Sequence, residues 1–178
     1  MYLEAILEYF HGERREMIAI LAGSLVATLL TGGLFLLVRD SFVKALFVTV
    51  LVSAALLSST AGSLLARDAR LRTDLVAAVQ SPHGERALAG ERTRIAAVIS
   101  KYRYYRYGAT GLGVLALLAL AVSRKGLAHG AALGLLMLVM AQVVIDHYSE
   151  QRARGYFDRL APAAPRVGGV QPTSDVED

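Results

Sequence analysis

Four apolar runs, charged only at Lys44 near the start of the second, alternate with short or strongly charged segments along this chain, and their lengths dictate the architecture. Met17–Val38 supplies about 22 residues and Phe42–Ala66 about 25, where a helix needs about 20 to cross a bilayer. Leu127–Ile145 is a third run of that kind. Gly108–Ser123 is shorter, and its rise of about 24 Å falls below the roughly 30 Å of a hydrocarbon core. The first pair of runs is joined by Arg39-Asp40-Ser41 and the second by Arg124-Lys125-Gly126. The pattern predicts an all-α, integral membrane four-helix bundle, with transmembrane helices in 17–66 and 108–147.

Between the two pairs lies a segment of a different kind, 67–107. Leu64, Leu71, Leu75 and Val79 continue one helical face out of the second run, with no Gly or Pro to interrupt it. Ser81-Pro82-His83-Gly84 then marks a turn, where Ser81 can cap the next helix and Pro82 suits its first position. Leu88, Ile95, Ile99 and Tyr102 mark a return arm. The segment is predicted to be a helical hairpin closed by an apolar seam, with Glu91 and Arg94 as an exposed pair on its second arm. Residues 1–16 carry Leu3, Ile6, Leu7 and Phe10 at helical spacing beside Glu4 and Glu8. This amphipathic helix is expected to end or bend at Gly12 and to pack on the protein's own helices. An acidic start followed by a long apolar run is not the pattern of a secretory leader. Residues 148–160 extend the last helix, and the Gly/Pro/Asp-rich tail 161–178 is predicted to be disordered.

The hairpin meets the third run through Lys101, Tyr102, Arg103, Tyr104, Tyr105, Arg106 and Tyr107. Amphipathic rings and snorkelling cations make a collar suited to the bilayer surface, and they supply the length that the short run lacks. Stacked rings with cations also serve single-stranded nucleic acids. Direct attachment to an apolar run favours the membrane, so no nucleic-acid partner is expected. Cation placement sets the orientation. Arg14 and Arg15, the nine Lys and Arg from Arg67 to Arg106, and the four after the fourth run make fifteen of the chain's 19. The bias predicts a multi-pass protein of the bacterial inner membrane with both termini and the hairpin in the cytoplasm.

Candidate chemistry is sparse. No ionisable residue lies near the middle of any run, although proton-coupled transporters and voltage sensors depend on such groups. There is no cysteine, no nucleophile elbow and no glycine-rich phosphate loop. His11-Gly12-Glu13-Arg14 recurs as His83-Gly84-Glu85-Arg86, a spacing better read as chance than as a metal site. Asp146, His147 and Glu150 could relay protons, but solvation or pairing with Arg152 and Arg154 is the simpler expectation. Gln142 reads as a helix–helix hydrogen bond. No catalytic, metal or cofactor site is predicted.

Small residues recur at four-residue spacing: Ala19, Gly23, Ala27 and Thr31 in the first run, Ala54, Ser58, Gly62 and Ala66 in the second, and Gly130 and Gly134 in the fourth. Such rows let helices approach closely in lipid. Intramolecular packing is the first expectation for them. Docking of a second membrane protein or a homo-oligomer follows, and a hydroxyl row at Thr49, Ser53, Thr60 and Ser63 offers a weaker permeation path. In size, four spans, brief links and absent catalytic groups, Met17–His147 resembles the small four-span immunity proteins that protect bacteria against membrane-acting, pore-forming toxins. The resemblance implies a non-enzymatic binding protein. It would recognise a toxin's hydrophobic helices in the bilayer through seams such as Gly130/Gly134 or Ala54/Ser58/Gly62. The alternatives are an oligomeric channel or transporter subunit and, behind it, a lipid-modifying enzyme.

Overall fold

The computed structural model describes residues 2–161, and these form four long helices. They are α1 (Tyr2–Leu37), α2 (Ser41–Val79), α3 (Gly84–Val122) and α4 (Gly126–Arg159). At 1.5 Å per residue the shortest is about 51 Å long, so each helix exceeds a bilayer core and projects beyond it. The two short links lie at one end, and Asp40 caps α2 there by accepting a 2.7 Å hydrogen bond from the Val43 backbone N–H. All the long charged extensions lie at the other.

α1 packs along α2, α2 along α4, and α4 along α3. By contrast α1 meets α4, and α2 meets α3, only over short stretches. The α2–α4 crossing is close because Gly130 lies against the Phe42 carbonyl and Gly134 lies against Thr49. A Cβ on Gly134 would sit 2.9 Å from the Thr49 Cβ. At the link end Phe35 stacks on Phe47 at 5.6 Å, and a His129 ring nitrogen lies 3.2 Å from the Leu120 carbonyl oxygen.

All four helices are long and apolar enough to cross a membrane, and only 11 to 28% of the residues in their apolar stretches are buried. Leu29, Leu30, Leu36, Leu37, Leu115 and Val122 stand exposed on these surfaces. An apolar surface of that extent is stable only in hydrocarbon. The chain is a multi-pass membrane protein, and its outer faces contact lipid.

The charged end is built differently. Ile6 and Ile95 are wholly buried there, and Tyr9, Phe10, Leu75, Tyr102, Ala153, Tyr156 and Leu160 complete a core drawn from all four helices. The arms of 67–107 therefore do not close on each other through a private seam. Their apolar faces turn inward as the spacing predicted, but the two ends of the chain fill the space between them. The N-terminal segment does pack on the protein's own helices, yet α1 runs through Gly12 without a break. Glycine serves there as a point of approach, since a Cβ would fall 2.7 Å from the Arg152 Cδ.

The turn also departs from expectation. α3 begins at Gly84, after Pro82, and His83 at its N-cap makes no side-chain cap bond. Ser81 instead closes the preceding helix, donating to the Ala78 carbonyl at 2.7 Å. The predicted tail, apart from Ala161, lies outside the described residues.

Candidate binding cleft

Because α1 and α4 both lean on α2 but scarcely touch each other in the apolar half, a cleft of about 580 Å³ opens between them. Its α1 wall carries Ala19, Gly23 and Ala27, its floor Ser53 and Ala54 of α2, and its α4 wall Gly134 and Ala141. Most of the first small-residue row therefore faces this gap, with one member each of the second and third, Ala54 and Gly134. Larger side chains such as Ile20, Leu57, Leu138 and Val144 line the rest. From Glu16 to Ala27 the α1 wall rises about 16 Å, or three helical turns.

The remaining candidates are distributed among other roles. Gly130 and Gly134 hold the α2–α4 crossing, Ser58 is half-buried, and Gly62 is exposed with open space around it. Of the hydroxyl row, Thr49 packs on Gly134 and Ser53 is buried. Thr60 and Ser63 are exposed and bond the Leu56 and Thr60 carbonyls of their own helix. In the collar, Tyr104, Tyr105 and Tyr107 are exposed, as are Lys101, Arg103 and Arg106. Tyr102 is not part of that outer ring. It is buried in the charged-end core, and burial raises its phenol above the ordinary value.

A polar cluster closes the cleft at the charged end, and sequence reading missed it. Arg152 bonds Glu16 and also lies 3.1 Å from the Glu13 carboxylate, while the Ser149 hydroxyl donates to Glu16. Burial pushes the Glu13 carboxyl above its usual 4.5; Arg152 draws it down and Glu16 pushes it up. Arg152 itself loses hydration, but its bonds to Glu16 and Glu13 hold its pKa above the ordinary guanidinium value. The signal that could have revealed the cluster is Glu13 and Glu16 at i, i+3 on the α1 face continuous with Tyr9 and the Ala19/Gly23 row.

Nearby, Asp146 and Glu150 are buried, Glu150 in the expected pairing with Arg154, whereas His147 faces outward. Gln142 donates to Asp146 at 2.7 Å, within its own helix and not across to another. Glu150 pairs with Arg154 at 2.6 Å and with Arg106 at 3.2 Å. The hydrogen bond from Arg154, helped by the Arg106 charge, holds the Glu150 carboxyl below its usual value. Arg152, expected near these acids, is committed to α1 instead. The Glu91–Arg94 pair is likewise no exposed ornament. Glu91 is buried, takes both guanidinium bonds at 2.7 Å and accepts a third from the Tyr156 hydroxyl at 3.2 Å.

Chemically, this arrangement can hold an apolar rod against small side chains and meet its end with a polar lock. Among the described residues no group of three or more His, Cys, Asp and Glu side chains is placed to hold a metal ion. The chain matches no protein-family model, no curated protein and no solved structure.

Proposed function

We propose that this chain is a non-enzymatic binding protein of the bacterial inner membrane, and that it neutralises a membrane-acting toxin. One of the toxin's hydrophobic helices would lie in the α1–α4 cleft. The observation that carries this reading is the convergence of Ala19, Gly23, Ala27, Ala54, Gly134 and Ala141 on a single lateral gap. In lipid, association is driven by close packing, and small residues on facing walls are what allow a further backbone to approach. Three turns of wall give such a helix a seat of useful length. The concentration of Lys and Arg at the charged end supports an orientation with both termini in the cytoplasm.

Expression beside a toxin encoded next to it tests the reading. Cells carrying the wild-type chain should survive the toxin, while Gly23→Leu and Ala141→Leu should lose protection. Gly23 has open space around it and Ala141 is exposed, so both variants fill the gap with little disturbance of the fold. Unchanged protection by correctly inserted variants would remove the cleft from the account. Protection against no adjacent toxin would remove the immunity role.

A further inference from the structure

A second hollow, of about 230 Å³, lies on the same α1–α4 face beyond the polar cluster. His11, Arg15, Arg152 and Arg159 line it, with Glu8 as its one carboxylate. We propose that this hollow binds the phosphate headgroup of an anionic phospholipid. The site is separate from the helix seat and requires only that the charged end stand at a membrane surface.

Depth is the first argument. Arg15 stands two residues before Met17, where the apolar run begins, so it lies about 3 Å outside the hydrocarbon; His11 lies about 9 Å outside. The headgroup layer on each side of a bilayer is about 5–8 Å thick. The inner part of the hollow, at Arg15, therefore lies at the level at which lipid phosphates sit, while Arg159, 14 residues past Ile145, stands about 20 Å outside the hydrocarbon.

Charge is the second argument. Two of the three guanidiniums are already fixed, Arg159 by Glu8 and Arg152 from behind by Glu13 and Glu16. Arg15 is exposed and makes no ion pair among the described residues. With the other two paired to carboxylates, Arg15 is the cation left for a phosphate, and a guanidinium suits phosphate oxygens with paired N–H donors.

Continuity commits the site to a lipid over a free anion. Only the Glu16–Arg152 bridge separates the hollow from the apolar cleft, whose near walls are Ile20 and Tyr148. A headgroup on Arg15 can thus send one acyl chain along the cleft mouth.

The test compares the full chain in bilayers of phosphatidylcholine alone and with added phosphatidylglycerol. The anionic lipid should raise the thermal midpoint and should be retained in native mass spectrometry. Arg15→Gln should weaken phosphatidylglycerol binding about tenfold, the scale of one lost charge-assisted bond. Arg14→Gln, which removes an equal charge outside the hollow, should leave binding nearly unchanged. Equal loss in the two variants would overturn the site in favour of diffuse surface charge. A midpoint indifferent to lipid charge, or the same rise from inorganic phosphate in phosphatidylcholine, would overturn it as well.

Discussion

The two halves of this bundle use the same helices and opposite packing rules. At the charged end, large side chains interlock: Tyr9 stacks on Tyr156 at 4.3 Å, Ile6 and Ile95 are sealed, and ion pairs tie the chain's two ends to each other and the last helix to α3. In the apolar half, glycine, alanine and small hydroxyl residues set the closest approaches. A few larger side chains such as Val43, Leu46 and Val50 are buried between helices, many others point outward, and a cleft is left open. Water drives the first kind of packing by expelling apolar surface. Lipid gives no such drive between apolar helices, so only close approach holds the second. An open apolar gap that would collapse or aggregate in water is stable where hydrocarbon can line it.

Breaking the joint between the halves should have the largest effect. Arg152→Met leaves Glu13 and Glu16 side by side and partly buried without their cation, and should cost about 3–5 kcal/mol. Denaturation in detergent should show the charged end melting early while the spans stay helical.

A cavity in the sealed core acts on one half alone. Ile95→Ala should cost about 2–5 kcal/mol and raise amide exchange through the charged ends of all four helices, leaving exchange in the spans unchanged.

The complementary variant is Gly130→Ala. Its methyl group meets the Phe42 backbone, which no rotamer change can clear, and the expected cost is about 1–3 kcal/mol. Here exchange should rise in the α2–α4 crossing and not in the charged core.

The smallest effect is a pH dependence. Glu13 has a raised carboxyl pKa, so the folded state holds its proton more tightly than the unfolded chain. Its contribution to stability is complete below the ordinary 4.5 and is lost as pH rises through the raised value. Glu8 and Glu150, with lowered pKa values, act oppositely and only below about 4.5. As pH falls from neutrality towards 4.5 the wild type should therefore gain stability relative to Glu13→Gln. Parallel thermal midpoints for the two proteins over that range would contradict the burial of Glu13.

Much of the apolar half was legible in the sequence because lipid imposes a local code: run length, neutral interiors and cations at the ends. The four helices and their brief links follow from it, and the inward faces of Leu75 and Ile95 follow from apolar spacing at the helical period. What could not be read were relations between distant parts of the chain. Ser149 stands 133 positions from Glu16, and no periodicity announces that they meet. Glu91 and Arg94 looked like a surface pair until Tyr156, 65 positions on from Glu91, covered them. The small-residue rows were visible singly in each run. That Ala54 and Gly134 come to face the Ala19/Gly23/Ala27 row across one gap depends on which helices touch, and the alternation of residues carries no record of that.

The open cleft is the claim on which the functional reading rests, and the chain's lack of cysteine makes it directly testable. A nitroxide attached to Ala141→Cys, in bilayers, reports its own surroundings by collision with oxygen or with a water-soluble relaxing agent. The account predicts frequent oxygen collisions, few from the aqueous agent, and loss of the oxygen signal when a partner helix binds. A label closed to oxygen in the free protein, or one readily reached from water, would contradict it.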